Sequence, residues 1–233
     1  MNHSPEWEIE KEEFLRRLEC GERTFRDNLC LPNFKNIKRI VPLRYLENIT
    51  AAPVPMTTKM LLKFISHIKT FDGQKPFSDV SVELRKVDPR HLKIGQKFIY
   101  RENYQSLLES LTGLFGRFAI PSGISELGAY FVFGEDKDGV SALACYLPPI
   151  IEQHEAHLVI MDGIHRDYIT MQIGGTINAV VVRGVRVSFP CGLHSWEDAL
   201  VISLNEKPKD INERYFELNK ELFRDLKYYG IDG

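Results

Sequence analysis

The sequence has no excess of positive charge. Its 30 lysines and arginines face 32 aspartates and glutamates, which gives a formal net charge of -2 at pH 7. Proteins that bind duplex nucleic acid usually carry a basic excess, because their cations displace counterions from the phosphates. The overall charge therefore disfavours nonspecific DNA binding, although it does not exclude a local basic patch.

Cysteine is also scarce, with four residues in the chain: Cys20, Cys30, Cys145 and Cys191. No two of them form a C-x-x-C pair, and their wide spacing is not typical of a zinc site. We expect reduced, mostly buried thiols. A chain of 233 residues does not need disulfide bonds or a structural metal for stability, since it can bury a full hydrophobic core.

Long apolar runs are missing as well. A membrane span needs about 18 apolar residues in a row, and the longest candidate, residues 176–182, has the length of a strand. Residues 1–6 contain neither a basic n-region nor an apolar h-region, so we expect no signal peptide. A cytoplasmic location without membrane association follows as an expectation from these exclusions.

Helical and strand periodicities are both present, which predicts an α+β fold. Apolar residues at helical spacing predict helices over residues 8–19, 57–70, 102–115, 164–173 and 210–229. Alternation and short apolar runs predict strands over residues 80–86, 129–133, 140–146, 158–161 and 176–183.

The segment FDGQKP at residues 71–76 is typical of a linker. We therefore predict a helical and irregular N-terminal attachment at residues 1–76 and a core domain at residues 77–233. The core is expected to end in a long C-terminal helix, with Asp210 as its N-cap and Glu213 as the capping-box partner.

The most informative segment is residues 158–174, where a short apolar strand leads into Asp162 and Gly163 and a helix starts at once. The first amides of a helix lack intrahelical partners and carry the positive end of its dipole, so a phosphate fits there. Gly163 has no Cβ, which allows a ligand to approach the backbone. His165 and Arg166 add two donors, and Asp162 has the chemistry to hold Mg²⁺.

A purely structural turn is the alternative interpretation. In that case Asp162 is the N-cap, His165 is a partly exposed helix residue and Arg166 forms a surface ion pair. Two residues able to carry positive charge oppose the dipole in a first helical turn. This mismatch favours the anion-binding hypothesis.

Residues 161–168, with the sequence MDGIHRDY, resemble the phosphate-binding motif of the ParB/sulfiredoxin superfamily, whose members carry forms such as D-G-H-H-R or D-G-Q-H-R after a strand. Residues 147–151 resemble the Pro-Ile-Val strand that precedes this motif, and residues 176–182 resemble the strand that follows it. The resemblance covers about residues 80–185 and implies a ParB/sulfiredoxin-like mixed-sheet core.

Members of that superfamily bind nucleotides. The resemblance implies that Gly163, Ile164, His165 and Arg166 hold the phosphates of ATP or ADP. It implies that Asp162 is a catalytic residue and a ligand of Mg²⁺. The D-G-x-H-R form is most similar to the free serine kinases of the superfamily, which implies a nucleotide-dependent phosphotransferase acting on a small molecule.

Two other branches fit the sequence less well. Sulfiredoxins carry a catalytic cysteine where this chain has Ile164, so their chemistry is not expected. ParB partitioning proteins carry a helix-turn-helix after the nucleotide domain, whereas one long helix is predicted here. A non-catalytic nucleotide-sensing or DNA-associated regulator is the alternative function. The kinases also use a glutamate near their first strand, for which Glu102 is the candidate, with Asp88 and Glu126 as alternatives.

Two further clusters of polar residues have both a structural and a functional interpretation. Residues 152–157, with the sequence EQHEAH, hold two histidines and two glutamates, which suit either a metal site or a polar turn. Cys191 and His194 form either a reactive pair or a chance neighbourhood. The polar turn and the chance neighbourhood are favoured.

Overall fold

The computed structural model describes residues 9–105 and 127–226. Helices and several mixed sheets are combined, so the α+β class is confirmed. The described residues fall into two compact units. The first comprises residues 9–68, 129–147 and 225–226, and the second comprises residues 69–105, 127–128 and 148–224. No helix in these ranges is long and apolar enough to cross a membrane.

The first unit combines three helices with one sheet. The helices are α1 Lys11–Arg17, α2 Glu22–Asn28 and α3 Thr58–Ile65. The strands are β1 Ile9–Glu10, β2 Arg39–Ile40, β3 Asn48–Ile49, β4 Val54–Pro55, β7 Tyr130–Glu135 and β8 Ser141–Tyr146. The sheet has the order β1-β2-β8-β7-β3, and β4 also pairs with β7.

The second unit contains the strand, turn and helix at residues 158–174. Its strands are β5 Ser81–Val87, β6 Phe98–Tyr100, β9 Ile150–His154, β10 His157–Asp162, β11 Ile177–Arg183 and β12 Leu200–Ile202. Its helices are α4, which includes residues 101–105, α5 Ile164–Gln172 and α6 Ile211–Arg214.

A four-stranded sheet with the order β10-β9-β11-β5 forms the framework of the second unit. β9 is antiparallel to β10 and parallel to β11, while β11 is antiparallel to β5. β6 and β12 form a separate parallel pair. α5 connects β10 to β11 and buries Ile164 in a core cluster with apolar residues such as Ile151 and Val181. The start of α5 is thereby fixed against the sheet.

The predicted hairpin at residues 129–146 is confirmed, but its place in the fold differs from the prediction. It is the β7–β8 pair, and it shares its sheet with β2, β3 and β4 from the N-terminal part of the chain. A boundary near residue 76 therefore does not separate the two units. Asp136 holds the hairpin loop together, because its carboxylate accepts hydrogen bonds from the amides of Asp138 and Val140 at 2.9 and 3.0 Å.

The prediction of a long C-terminal helix is wrong over the described residues. Asp210 is the N-cap, as predicted, and its side chain accepts a hydrogen bond from the amide of Asn212 at 2.9 Å. However, α6 ends after four residues, because Tyr215 is extended and forms an antiparallel bridge with Gln96. The hydrogen bonds of this bridge to a distant segment replace those of a continued helix. The end of the predicted helix, residues 227–229, lies outside the described residues.

A fully buried ion pair between Arg224 and Glu152 holds the segment after α6 to the four-stranded sheet. Arg224 and Glu152 are both 0% exposed at their side chains, and their two hydrogen bonds measure 2.9 and 2.8 Å. Arg224 also donates to the carbonyls of Val187, Ser188 and Leu222. The guanidinium is thus well compensated for its loss of water, as a buried charge requires.

We expect the substitution Glu152→Gln to destabilise the second unit strongly. It keeps the shape of the side chain but leaves the Arg224 charge buried without its counter-charge, which costs about 3–5 kcal/mol. The matched control is Glu83→Gln, since Glu83 pairs with Arg183 at 2.8 Å with both side chains partly exposed. The control should cost no more than about 1 kcal/mol. Urea unfolding compares the two variants, and equal losses would contradict the role of the buried pair.

Candidate functional site

The predicted strand-to-helix turn is confirmed. β10 ends at Asp162, Gly163 takes the turn with a φ of +91°, and α5 begins at the next residue. This left-handed conformation favours glycine. The Gly163 carbonyl accepts hydrogen bonds from the amides of Arg166 and Asp167 at 3.0 and 3.1 Å. The amides of the first two helical residues therefore precede the hydrogen-bond ladder of the helix.

The reason for a glycine at this position differs from the one expected. A Cβ on Gly163 would lie 2.9 Å from the Cα of Pro149 and 2.9 Å from Nη2 of Arg166. The space beside the glycine is thus filled by the protein itself and not kept open for a ligand. Gly163 serves close packing of the turn against the segment before β9.

Arg166 lies inside the protein and not on its surface. Its side chain is 1% exposed, and Nη2 donates to Oδ2 of Asp162 at 3.3 Å. The interpretation as a surface ion pair is therefore corrected. Arg166 lies three residues after Gly163, and its buried side chain points to the packed side of the first helical turn. Arg166 stabilises the turn from within, and a direct phosphate contact by this residue stays a prediction.

His165 is buried and neutral, in contrast to the expected partly exposed or cationic residue. Its Nε2 accepts a hydrogen bond from the backbone amide of Tyr100 at 3.0 Å, so the ring proton is assigned to Nδ1. Burial, together with the charges of Arg166 and Lys207, lowers the pKa of His165 to about 4. The imidazole joins α5 to β6 and carries no charge at pH 7.

Asp167 is the most unusual group of the turn. It is 0% exposed, and neither carboxyl oxygen has a hydrogen-bond partner among the described residues. Burial raises the pKa of Asp167 well above its ordinary value, the charge of Arg166 lowers it, and that of Asp162 raises it further. An enclosed carboxyl of this kind favours its protonated form.

Two cations, Lys207 and Arg214, come from the C-terminal part of the second unit. The Lys207 ammonium lies 5.2 Å from the centre of the Tyr100 ring. The residue as a whole is exposed, yet burial around the ammonium, followed by the charge of Arg214, lowers the pKa of Lys207. Arg214 is held by the carbonyls of Pro208 and Lys209 at 2.7 and 2.9 Å.

The Tyr100 hydroxyl is buried and has no partner among the residues described. Burial raises the pKa of Tyr215, and the charges of Cys191, Tyr100 and Asp162 raise it further. We call this assembly the α5 cluster, and its members are Tyr100, Asp162, His165, Arg166, Asp167, Lys207, Arg214 and Tyr215.

Sequence reasoning did not find Tyr100, Lys207, Arg214 or Tyr215. They lie at least 39 positions from the motif at residues 161–168, and the folded chain, not a local pattern, brings them there. The turn that carries Lys207 had one recognisable signal. Ser203 and Glu206 form a capping box at the 3₁₀ turn Leu204–Glu206, just before the lysine.

Glu102, the predicted catalytic glutamate, is used for structure. Its carboxylate accepts hydrogen bonds from the Ser203 hydroxyl and the Leu204 amide, both at 2.7 Å. The Ser203 bond first, and then the Leu204 bond, lower the pKa of Glu102. Glu102 therefore fixes the turn that presents Lys207.

The alternatives to Glu102 are also accounted for. Asp88 pairs with Arg90 through contacts of 2.6 and 2.9 Å. These contacts hold the pKa of the Asp88 carboxyl at about 2. Glu126 lies outside the described residues.

The two other sequence clusters have structural explanations. Residues 152–157 form the ends of β9 and β10 and the polar turn between them, as favoured. His154 lies 2.6 Å from the Glu152 carboxylate. His194 contacts Asp198 at 3.2 Å and stacks on Phe216 with ring centres 3.7 Å apart, and burial raises the pKa of Cys191 to about 12. Such a thiol is inert at neutral pH.

Comparison of the chain with protein-family models, with curated proteins and with solved structures gave no match. The resemblance to the ParB/sulfiredoxin superfamily therefore rests on the residues of the motif and its neighbouring strands.

The α5 cluster carries more positive than negative charge. Arg166, Lys207 and Arg214 contribute three positive charges, and one carboxylate, Asp162, is ion-paired with the first of them. His165 is neutral, and Asp167 is enclosed in surroundings that favour its neutral form. Together with the first amides of α5, these charges make the electrostatic potential at the start of the helix more positive than the dipole alone would.

We expect Gly163→Ala to destabilise the chain more than Gly174→Ala. Both glycines have positive φ, +91° and +69°, but a Cβ on Gly174 would meet nothing within 4 Å. The control therefore measures the left-handed strain alone, about 1–2 kcal/mol. Gly163→Ala adds a collision with Pro149, which costs about 1–3 kcal/mol more. Urea unfolding measures both, and equal losses would show that the Pro149 contact is unimportant.

We also expect Asp167→Asn to change the pH dependence of stability. Because the pKa of Asp167 is raised in the folded chain, the unfolded chain releases this proton first as the pH rises. The wild type therefore loses stability above the unfolded pKa near 3.9, with a slope of up to about 1.4 kcal/mol per pH unit. The asparagine variant lacks this loss and should gain on the wild type as the pH is raised.

The control for this measurement is Asp198→Asn, because the Ser195 amide and His194 lower the pKa of Asp198. For that residue the sign is opposite: its contribution is present above the unfolded pKa and is lost as the pH falls. Thermal unfolding at several pH values follows both variants. Parallel curves for Asp167→Asn and the wild type would mean that the carboxyl does not hold its proton.

Proposed function

We propose that the chain binds a nucleotide, ATP or ADP with Mg²⁺, by its phosphates at the start of α5, and transfers a phosphoryl group to a small molecule. The observation that carries the proposal is that a helix start with the buried Arg166 lies beside Tyr100, over whose ring the Lys207 ammonium lies, with Arg214 close enough to Lys207 to lower the pKa of that lysine. Phosphate needs such donors and such charge.

The three cations have different tasks in this binding. Lys207 supplies a point charge on an exposed residue, and its ammonium lies over the Tyr100 ring. Arg214 supplies a fixed charge, since two carbonyls hold its guanidinium. Arg166 adds positive charge from inside the turn, where water screens it little.

Asp162 is the residue that fits a magnesium ion. Mg²⁺ is usually held by one or two carboxylates together with the phosphates of its nucleotide. The Asp162 side chain is 14% exposed, whereas Asp167 is enclosed. No three histidine, cysteine, aspartate or glutamate side chains within the described ranges come together as a metal site, so the ion would depend on the phosphates. When bound, it would neutralise charge on the phosphoryl group.

The acceptor hydroxyl has to be oriented and to lose its proton during transfer. Asp162 is assigned this catalytic role, because it is partly accessible at the start of α5. Glu102 is assigned a positioning role, because its carboxylate holds the turn before Lys207.

We expect Lys207→Ala to weaken nucleotide binding by about tenfold or more, the effect of losing one charge-assisted contact. Lys209→Ala is the matched control, since this exposed lysine lies two residues further along the same segment. Calorimetric titration with ADP and Mg²⁺ measures both variants. Unchanged affinity in Lys207→Ala, or no binding of any nucleotide by the wild type, would overturn the proposal.

A second measurement separates binding from chemistry. Asp162→Asn should keep most of the affinity for ATP and lose phosphoryl transfer to a panel of small hydroxyl compounds, with its fold checked by circular dichroism. Binding without turnover by the wild type on every acceptor would instead favour the non-catalytic nucleotide-sensing regulator.

A further inference from the structure

Three aromatic side chains form a continuous row beside the α5 cluster. The ring centres of Tyr104 and Tyr168 lie 6.2 Å apart, and those of Tyr168 and Trp196 lie 6.1 Å apart. The planes of neighbouring rings are inclined by 33° and 43°. We call these three residues the aromatic row. They come from α4, α5 and the 3₁₀ turn Trp196–Asp198.

The row begins one helical turn away from the proposed phosphate position. Tyr100 and His165 form a ring pair at the start of α5, with centres 5.8 Å apart. Tyr104 lies four residues after the first of these and Tyr168 three residues after the second, so the next ring pair lies about 5 Å further along the helix axis. A ligand of nucleotide size whose phosphates lie at the helix start would be long enough to reach the row.

The three rings are only partly buried. Each packs on the core cluster that contains Ile164, and each keeps an exposed fraction. The polar edge of Trp196 is already satisfied, because its Nε1 donates to the Pro89 carbonyl at 2.7 Å. The exposed parts of the three aromatic rings are therefore what the row offers to a ligand, and aromatic rings pair favourably with other aromatic rings in offset-stacked or edge-to-face arrangements.

We propose that the aromatic row is a stacking site for the nucleobase of the nucleotide whose phosphates lie at the start of α5. The inference rests on the proposed function and adds a second contact region to it. Every nucleobase has a π-face, so stacking contributes affinity with little preference among bases.

Tyr168→Leu tests the row, because it removes the stacking ring and keeps an apolar side chain on the core. The expected result is an affinity for ADP lowered by about tenfold, within the range for base–aromatic stacking, and an affinity for pyrophosphate unchanged within twofold. Tyr168→Phe is the matched control, since it keeps the ring, and it should bind both ligands like the wild type. Tyr104→Leu removes the neighbouring ring and should show the same pattern as Tyr168→Leu.

Tryptophan fluorescence gives an independent measurement. The chain has two tryptophans, Trp7 and Trp196, so a Trp7→Phe background reports on the row alone. ADP should change the Trp196 emission, and pyrophosphate at saturation should leave it unchanged.

The outcomes separate the two proposals. If the wild type binds pyrophosphate but ADP no more tightly, or if both leucine variants bind ADP like the wild type, the stacking site is wrong and the phosphate site stands. If the wild type binds neither ligand, the proposed function itself fails.

Discussion

The left-handed turn at Gly163 is the constraint on which the rest of the site depends. Pro149 and the Arg166 guanidinium fill the space that a side chain would take, so β10 and α5 meet in one arrangement. That arrangement buries Arg166 beside Asp162 and brings His165 to the Tyr100 amide. The groups that determine charge at the helix start are therefore held by close packing, which resists small displacements.

Local elements of the fold were predictable from the sequence, and their partners were not. The strand, turn and helix at residues 158–173 and the hairpin at 129–146 are confirmed, because apolar spacing and glycine positions are local signals. The hairpin's place in the first sheet depends on pairing with distant strands. The long C-terminal helix failed for the same reason, since the bridge between Tyr215 and Gln96 overrides a good helical pattern.

In the candidate site, the sequence predicted where residues lie but not their electrostatic states. The motif pointed to Asp162, Gly163 and His165, and the structure places all three at one turn. Their electrostatic states were not predictable, because burial decides them. His165 is neutral for that reason, and the Asp167 carboxyl is enclosed without a partner. The cations Lys207 and Arg214 belong to a segment that no motif marks.

The hydrogen bond between Glu102 and Ser203 has a consequence for how the protein matures. It joins residues 101 positions apart in the sequence, and the turn with Lys207 depends on it. Contacts between residues so far apart in the sequence form slowly, because closing the long intervening loop costs conformational entropy before the contact contributes any stability. Under the proposed function, affinity for an anion would therefore appear late in folding, after these two distant segments of the second unit have met.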